Sequence, residues 1–529
     1  MRWDGGIPGV LLVLVGSLRI VATYPVFNHT ADEPSHILCG MEWLDKGTYY
    51  LWPEQPPLCR VAAAFGPYLV GRRWENLAGF DERAIAILAG DKHYDRNLAL
   101  ARLGILPFFW IASLAVYLFG RRCGGTPGAL AALFLFTFLP PVLAHAGLAT
   151  TDMGMTAFLG LAFVAALAWL ESPGWRSALG FGAATGLALL AKLSVLAFLP
   201  AALGAALVCF LAIVRPSLAR VATLAGRRIP TLCLAIAAAC LVVWAGYRFS
   251  FGKVYFADLR LPAPEFFAGI RQVLDHNRMG HESYLLGKRS PTGFWYYYPA
   301  VLAFKTPLAF MLLVFAGIAS CFTQQRRSRL STWLPLAFSL AVLLVAANGR
   351  INIGVRHILP VYMGFSVAAA AGLLWMFGLA RKSKWIGLAA GMLLAWFALS
   401  SVLSHPDYLA YFNVLAGNQP ENILVDSDLD WGQDVKRLAK RLRELNAAHI
   451  AFIPFMPNAE ACGFPPFELN DPVKPAPGWN AVSVSNWKLN RLWLGDKHPE
   501  LILWPDRFKP RERVGKSILL YYFPPAAAY

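Results

Sequence analysis

Two adjacent carboxylates, Asp32 and Glu33, stand in a turn just after the first long apolar run, with Pro34 and His36 close behind. A third acid, Glu54, lies in the rigid proline segment 53–58. Adjacent acids repel, and each raises the pKa of the other unless a cation or a hydrogen-bond donor offsets the repulsion. A costly acidic pair beside a membrane indicates a catalytic or binding site, and a solvated loop is the alternative interpretation.

Further ionisable residues stand at or near the ends of apolar runs, and they include both acids and bases. These residues are Asp152, Lys192, His281, Arg350, Arg356 and His357. Ionisable side chains at membrane ends are costly when they face lipid, so they usually face a shared polar cavity. For each one alone the alternative is an interfacial anchor, such as a lysine that extends its ammonium group to the interface. Mixed acids and bases suit a substrate with a phosphate beside a group that must lose a proton.

The segment 348–357 is a candidate anion site. It contains two arginines, a histidine and two glycines. Arginine binds phosphate with a planar fork of donors, and glycine allows the backbone to approach a ligand closely.

Composition identifies the class of protein that positions these residues. The chain is 57% hydrophobic and 15% charged, and apolar runs of the length that crosses a membrane recur along most of it. These features predict a polytopic α-helical membrane protein. The net charge of +17 is explained by short basic loops between the apolar runs, so no nucleic-acid partner is expected.

About eleven transmembrane helices are predicted from these runs. They cover residues 7–24, 98–119, 128–145, 153–170, 178–190, 196–214, 230–247, 298–322, 333–347, 358–377 and 385–403. Two large loops, 25–97 and 248–293, interrupt the series. The first run is interpreted as a span rather than a cleaved signal peptide, because more spans follow it and no clean cleavage site ends it.

Short basic loops alternate along the chain and set its predicted orientation. They contain Arg2, Arg121, Arg122, Arg176, the segment 215–228, Arg326, Arg327, Arg329, Arg381, Lys382 and Lys384. Cytoplasmic loops are rich in lysine and arginine, so both large loops and the C-terminal tail are predicted to be extracytoplasmic in a plasma or inner membrane. Cys39 and Cys59 share the first large loop, where a disulfide is one option and two free thiols are the other.

The predicted domains are a membrane domain at 1–404 and a small extracytoplasmic α/β domain at 405–529. Strands are expected at 423–428, 449–454, 481–485 and 517–523, and a helix at 431–445 capped by Asp428 or Asp430. Asp426, Asp428, Asp430 and Asp434 form an acidic group for which cation binding is one interpretation, and capping and solvation are the favoured one.

Four motifs together resemble a known enzyme family. They are the Asp32-Glu33 pair, the Glu-x-Pro-Pro segment at Glu54, Thr150-Thr-Asp-Met153 and the run 186–192. In this order they resemble the GT-C membrane glycosyltransferases that use polyprenyl-phosphate sugars, among them protein O-mannosyltransferases and the lipid A aminoarabinose transferase. The resemblance covers about the first four hundred residues. It implies extracytoplasmic transfer of one sugar from undecaprenyl- or dolichyl-phosphate to a protein, lipid or glycan acceptor.

The resemblance also implies roles for individual residues. Asp32, Glu33 and Asp152 match catalytic acids, and Glu54 and His281 match ligands of a divalent metal ion. Lys192, Arg350 and Arg356 are expected to bind the donor phosphate, and His36 and His357 to bind substrate. Gln55 departs from the family, which has a phosphate-binding lysine there in the aminoarabinose transferase. The partners implied are a polyprenyl-phosphate-linked sugar, membrane lipids and an unidentified acceptor.

The expected mechanism needs one base and several cations. A phosphate is already a good leaving group, so positive charge that stabilises it is more useful than a general acid. Asp32 is expected to take the acceptor proton in a direct displacement that inverts the anomeric carbon. Two other classes remain open. A transporter would show internal repeats and interrupted helices at the bilayer midplane, and a non-catalytic scaffold would not need Asp32, Asp152 and Lys192 together.

Overall fold

The structure, a computed structural model, describes residues 6–323, 329–455, 459–495, 498 and 500–524. The predicted basic residues Arg2, Arg326 and Arg327 lie outside the described residues. The first helices in chain order are Gly6–Val21 (α1), Glu33–Met41 (α2), Pro57–Leu69 (α3), Phe80–Ala89 (α4), Tyr94–Leu103 (α5), Leu106–Thr137 (α6), Pro140–Ala146 (α7), Asp152–Glu171 (α8), Trp175–Ala191 (α9), Val195–Val214 (α10), Leu218–Gly226 (α11) and Ile229–Gly246 (α12). The others are Pro264–Met279 (α13), Tyr297–Lys305 (α14), Leu308–Thr323 (α15), Arg329–Ala347 (α16), Val361–Leu379 (α17), Lys384–Leu403 (α18), Val435–Glu444 (α19), Val484–Gly495 (α20) and Trp504–Arg507 (α21).

The prediction of a polytopic helical membrane protein is confirmed. Within the described residues, seven helical segments are long and apolar enough to cross a membrane, and the bent pair α14 and α15 brings the number to eight. The seven are Tyr94–Thr137, Asp152–Glu171, Val195–Val214, Ile229–Gly246, Leu330–Ala347, Val361–Leu379 and Lys384–Leu403. The count of about eleven spans stays a prediction.

One of these segments reverses direction inside α6. Gly124 and Gly125 leave the helical conformation, and Gly125 has a φ of +63°, which glycine adopts at little cost. After the break the chain packs back on itself, because a Cβ at Gly120 would lie 2.9 Å from the carbonyl oxygen of Gly128. The predicted runs 98–119 and 128–145 therefore meet as two arms of one hairpin.

The first large loop is mostly helical, since α2, α3 and α4 lie within 25–97. Helices α2 and α3 pack so closely that a Cβ at Gly40 would lie 1.9 Å from the carbonyl oxygen of Arg60. Only glycine fits at that contact. Cys39 and Cys59, on these two helices, are buried free thiols, so the disulfide option is not realised.

The second large loop holds two hairpins and a helix. Strands Phe251–Val254 (β1) and Ala257–Pro262 (β2) form the first antiparallel hairpin, and Ser283–Leu285 (β3) and Lys288–Ser290 (β4) form the second. Helix α13 lies between them and touches the proline segment, because a Cβ at Gly269 would lie 2.3 Å from the carbonyl oxygen of Pro53.

The C-terminal unit is a five-stranded mixed sheet with flanking helices, so the predicted α/β fold of this unit is confirmed. Its strands are Ile450–Ile453 (β5), Phe467–Leu469 (β6), Gly478–Ser483 (β7), Glu512–Val514 (β8) and Ile518–Phe523 (β9). Their order is β6-β5-β7-β9-β8, with β5 parallel to β6 and β7, and β9 antiparallel to β7 and β8. Both sheet faces are covered: Ala481 and Leu520 pack against α19, while Val482 and Leu519 pack with Leu429 and Trp504 on the other face.

One prediction for this unit is wrong, and a second is right about a helix but wrong about its start and its cap. The segment 423–428 is not a strand, because it follows the 3-10 turn Pro420–Asn422, is irregular at 424–425 and ends in the 3-10 turn Asp426–Asp428. The predicted helix at 431–445 begins later, at Val435, and Asp434 precedes it without a side-chain capping bond.

Polar contacts attach this unit to the helical part. The Asn413 amide donates to the carbonyl oxygens of Ala303 (2.6 Å) and Thr306 (2.7 Å). The Lys305 ammonium donates to the carbonyl oxygen of Leu409 at 2.8 Å. These bonds hold the segment after α18 against the end of α14.

Candidate active site

Asp32 and Arg356 form the first of two ion pairs. Arg356 Nη1 donates to Asp32 Oδ2 at 2.7 Å, and its guanidinium lies 4.3 Å from the ring centroid of Trp431. Burial alone would raise the pKa of Asp32, but the Arg356 charge more than offsets it, so the pKa lies below its usual value. The Asp32 side chain is 32% exposed, so a ligand can reach the carboxylate.

Local structure explains why these two residues meet. Asp32 is the residue before α2, whose first turn contains Pro34. Arg356 lies in the 3-10 turn Val355–Ile358, just before α17. Both residues therefore sit at helix starts, where the chain exposes polar groups rather than an apolar face.

Asp152 and Lys192 form the second pair. Asp152 opens α8, as predicted, and Lys192 follows α9 in an extended conformation. Lys192 Nζ donates to Asp152 Oδ1 at 2.6 Å, with the side chains 8% and 1% exposed. The charges of the two pairs interact, since Asp152 acts on the pKa values of both Asp32 and Arg356. The structure thus brings together Asp32, Asp152, Lys192 and Arg356.

Glu33 is occupied by other contacts. Arg102 binds both of its carboxylate oxygens, each at 2.8 Å. The backbone N–H groups of Thr30 (2.8 Å) and Ala149 (2.9 Å) also donate to them. The side chain is fully buried, so the geometry favours a positioning role rather than the catalytic role expected for it. Through Ala149 it links the turn at Asp32 to the segment that precedes α8.

His36 is held by Arg60, a residue that the sequence did not single out. Arg60 Nε donates to His36 Nδ1 at 3.0 Å, which leaves the imidazole proton on Nε2. Burial lowers the pKa of His36 to about 3, so the ring is neutral. Arg60 itself is fully buried, and its Nη1 donates to the carbonyl oxygen of Trp52 at 2.6 Å. Sequence reasoning did not indicate Arg60, because its neighbours in α3 are apolar and no motif marks it.

His357 lies beside the second pair. Its ring stacks on Tyr298 with centroids 5.8 Å apart and meets Phe198 edge-on. Burial, followed by the nearby Lys192 charge, lowers its pKa to about 3. Among the described residues, His357 Nδ1 has no hydrogen-bond partner. His357 is therefore a neutral polar group available to a ligand.

Arg350 lies apart from the two pairs. Its side chain is exposed and donates to the carbonyl oxygen of Arg278 at 3.4 Å, and its N–H donates to Asn277 Oδ1 at 2.9 Å. Arg350 thus ties the loop to the end of α13. The phosphate-binding role expected for it is not supported by this position.

Glu54 and His281 are joined through His276, which the sequence did not indicate. His276 Nδ1 lies 2.8 Å from Glu54 Oε1, and His276 Nε2 lies 3.2 Å from His281 Nδ1. Within the described residues, no group of three or more His, Cys, Asp or Glu side chains is arranged to hold a metal ion. The metal role expected for Glu54 and His281 stays a prediction.

The acidic group of the C-terminal unit is mostly bonded internally. Asp430 accepts from the N–H groups of Gly432 (3.1 Å) and Ser485 (3.0 Å). Asp434 accepts from the N–H of Lys516 (2.9 Å) and from the Ser517 hydroxyl (2.8 Å). These contacts agree with the favoured structural interpretation of Asp430 and Asp434.

His145, in α7, is another residue that the sequence did not single out, like Arg60 and His276. It is fully buried, and neither ring nitrogen has a partner among the described residues. Its charge environment includes Asp152, Arg356 and Lys192, so it lies near both ion pairs. Buried polar atoms are usually satisfied, and unpartnered ones beside an ion-pair cluster indicate a site for water or a polar ligand.

Comparisons with known proteins concern the fold. No protein-family model matches the sequence, and no curated protein matches it. The solved structure of ArnT from Cupriavidus metallidurans bound to undecaprenyl phosphate is 14% identical, with a TM-score of 0.49 over 98% of both chains. The archaeal oligosaccharyltransferase AglB from Archaeoglobus fulgidus, in complex with an inhibitory peptide and a dolichol-phosphate, is 14% identical. Its TM-score is 0.47 over 87% of this chain and 59% of that chain.

The Archaeoglobus fulgidus oligosaccharyltransferase in complex with Zn and sulfate is 17% identical, with a TM-score of 0.43 over 85% of this chain and 56% of that chain. At these identities the likeness concerns the course of the chain alone.

Proposed function

We propose that this chain is a membrane glycosyltransferase that moves one sugar from a polyprenyl-phosphate donor to an extracytoplasmic acceptor. The observation that supports this function best is the pairing of Asp32 with Arg356 beside the pairing of Asp152 with Lys192. The cluster offers two cations for a phosphate and one reachable carboxylate for a proton. A transporter or a scaffold would not require this combination.

Donor binding would prepare the base. A phosphate that approaches Arg356 competes with Asp32 for the guanidinium, because phosphate accepts the same paired donors as a carboxylate. As Arg356 turns toward the phosphate, Asp32 loses the charge that lowers its pKa. Asp32 then becomes a better proton acceptor at the moment when the donor is in place.

The transfer step is a single displacement. The acceptor O–H or N–H bond breaks and its proton passes to Asp32, while the acceptor atom forms a bond to the anomeric carbon of the sugar. The bond from that carbon to the phosphate oxygen breaks, and its electron pair leaves with the polyprenyl phosphate. Arg356 and Lys192 stabilise the charge that the leaving phosphate gains. Direct displacement inverts the anomeric carbon.

Other residues have supporting roles in this proposal. Asp152 accepts a hydrogen bond from Lys192 Nζ at 2.6 Å and so orients this buried side chain. Neutral His36 and His357 offer hydrogen bonds to sugar hydroxyl groups without changing the net charge. Residues 1–404 form the transferase domain, and residues 405–529 form an extracytoplasmic unit above the site.

Release of carrier phosphate tests the function. The purified full chain is incubated with radiolabelled undecaprenyl-phosphate monosaccharides, and free undecaprenyl phosphate and labelled product are measured. Membrane fragments from cells that lack the chain supply acceptors. We expect carrier release with transfer of label in at least one reaction. Retention of label on the carrier throughout, despite measurable carrier binding, would support a transporter or a scaffold instead.

A further inference from the structure

Asp426, in the C-terminal unit, adds a third carboxylate to the cluster formed by Asp32, Arg356, Asp152 and Lys192. It is the first residue of the turn Asp426–Asp428, and its side chain is partly exposed. Its carboxylate lies close enough to Arg356 and Asp32 for their charges to interact. Its backbone is fixed, because its N–H donates to Ser485 Oγ at 2.8 Å and its φ is +54°.

The turn that carries Asp426 is clamped to the segment that carries Arg356. Ser427 Oγ donates to the carbonyl oxygen of Ile353 at 3.0 Å, and the Val355 N–H donates to Asp428 Oδ1 at 3.0 Å. A Cβ at Gly354 would lie 2.8 Å from Asp428 Oδ2, so the two segments are in close contact. Asp426 is therefore placed relative to Arg356 by several short contacts rather than by a free loop.

The charge of Asp426 is not neutralised by an ion pair. Asp32 binds Arg356 and Asp152 binds Lys192, but no ion pair to Asp426 occurs among the described residues. Burial, together with the charges of Asp32 and Asp428 and against the opposing charge of Arg356, raises the pKa of Asp426 to about 7. The carboxyl group thus changes its charge near neutral pH, and its oxygens are free of an ion pair within the described residues and can accept a hydrogen bond from a ligand.

Further unpartnered polar atoms belong to side chains that interact electrostatically with Arg356. Among the described residues, buried Asp428 Oδ2 has no hydrogen-bond partner, and neither do His357 Nδ1 and both nitrogens of His145. Arg356 acts electrostatically on all three of these side chains. Buried atoms of this kind are normally satisfied by protein, water or ligand, so they indicate a polar ligand beside Arg356.

We infer that Asp426 is an acceptor-binding residue, whose carboxylate accepts a hydrogen bond from a hydroxyl or ammonium group of the acceptor. This inference rests on the proposed function. The donor sugar offers the same chemistry, but its phosphate is drawn to Lys192 and Arg356 and its lipid chain to the apolar helices. A group that meets Asp32 from the side of the C-terminal unit is the acceptor, and Asp426 stands on that side.

Asp426→Asn tests the assignment without a change of shape. Asparagine adopts positive φ as readily as aspartate, so the turn is retained. Two reactions of the purified full chain are compared: release of undecaprenyl phosphate from the labelled donor in water, and transfer of label to membrane fragments from cells that lack the chain. We expect the KM for the membrane acceptor to rise by about tenfold or more, the scale of a hydrogen bond to a charged group. The acceptor KM should rise more than either the donor KM or the rate of release in water changes, because the charge of Asp426 also acts on Arg356 and Asp32.

The pH profile separates binding from a structural effect. In the parent, kcat/KM for the acceptor should rise as Asp426 ionises through about pH 7, and the variant should lack this rise. Glu468→Gln is the control, because Glu468 is an acid of the same unit with a side chain 75% exposed. Its profile should match the parent.

Each alternative outcome has one meaning. An unchanged acceptor KM with an unchanged pH profile overturns the inference. A raised donor KM with an unchanged acceptor KM assigns Asp426 to the sugar and also overturns it. A parent protein that releases no carrier phosphate overturns the proposed function and the inference with it, whereas failure in the variant arms leaves the proposed function standing.

Discussion

Asp32 and Arg356 are 324 positions apart in the chain, yet Arg356 Nη1 lies 2.7 Å from Asp32 Oδ2. Trp431 covers the guanidinium of Arg356 at 4.3 Å, so three distant segments meet at one cation. In the proposed function, the donor phosphate would replace Asp32 as the partner of Arg356, and the partial exposure of Asp32 allows this exchange. This exchange is what makes a carboxylate with a lowered pKa compatible with a role as a base.

Asp32→Asn should abolish transfer and retain the fold. The amide keeps the size of the side chain but cannot take the acceptor proton as a carboxylate does. We expect single-turnover transfer to fall by about a hundredfold or more, the usual scale for loss of a general base. Binding of undecaprenyl phosphate, measured separately, should persist.

Asp81→Asn is the matched control, since Asp81 is an exposed aspartate of the same large loop. It should transfer at the parent rate. An Asp32→Asn protein that also transfers at nearly the parent rate would remove this turn from the chemistry.

Glu33→Gln should act on stability first. The substitution leaves Arg102 buried without its charged partner, which typically costs about 3–5 kcal/mol of unfolding free energy. Thermal unfolding in detergent should therefore shift to lower temperature. Glu33→Gln combined with Arg102→Met removes both charges and should recover part of the loss. A single variant with parent stability and no transfer would return Glu33 to the catalytic role.

Features visible in local sequence were predictable. Apolar runs gave the helices because burial in lipid requires continuous hydrophobic length, and Asp152 and Lys192 were placed at helix ends because charge interrupts those runs. The segment 423–428 misled, since Ile423, Leu424 and Val425 are buried in 3-10 turns and irregular chain rather than in a strand.

Features that depend on distant contacts were not predictable. Arg102 binds Glu33 across 69 positions, and no local pattern marks it as a partner. Arg60 and His145 look like isolated polar residues among apolar ones, and only packing brings them near the cluster. Arg350 is the opposite case. The composition of the segment 348–357 predicted that Arg350 belongs to the site, but in the structure its side chain is exposed and apart from the site.

Lys192 and Asp152 should be energetically coupled in donor binding. Lys192→Ala should weaken binding of undecaprenyl phosphate by about 2–3 kcal/mol, the scale of a charge-assisted contact. Lys192→Arg should not restore it, because the planar guanidinium does not fit a buried site shaped for an ammonium. Titration of the detergent-solubilised variants with undecaprenyl phosphate measures these affinities.

The double variant Lys192→Ala with Asp152→Asn separates binding from folding. It removes both buried charges, so its stability should exceed that of Lys192→Ala alone while its donor affinity stays low. Recovery of affinity together with stability would mean that Lys192 only neutralises Asp152.

Glu54 and His276 should stabilise the protein in a defined pH window. His276 donates a hydrogen bond to the Glu54 carboxylate, which raises the pKa of His276 above 6.5. The contribution of His276 to stability is therefore present below that value and is lost as pH rises through the folded pKa. Burial alone would raise the pKa of Glu54, but His276 and Trp52 more than offset this and lower it below 4.5. The contribution of Glu54 is therefore lost as pH falls through its folded value.

Glu54→Gln removes the charge and keeps an acceptor for His276. The parent should unfold at a higher temperature than this variant at pH values between the folded pKa of Glu54 and that of His276, and the difference should shrink as pH rises through the folded pKa of His276. Thermal unfolding across this range measures it, with Glu468→Gln as a control. A difference that stays constant with pH would contradict an ionic contribution from this pair.

The C-terminal unit should be extracytoplasmic. The basic loops alternate along the chain, and loops rich in lysine and arginine remain in the cytoplasm. In a variant whose native cysteines are replaced, Glu468→Cys supplies an exposed thiol in the tail, and Lys382→Cys supplies one between α17 and α18. A membrane-impermeant maleimide applied to intact cells should label the first thiol and leave the second unlabelled until lysis. The opposite pattern would place Asp32, Arg356 and Asp426 on the cytoplasmic face and refute extracytoplasmic transfer.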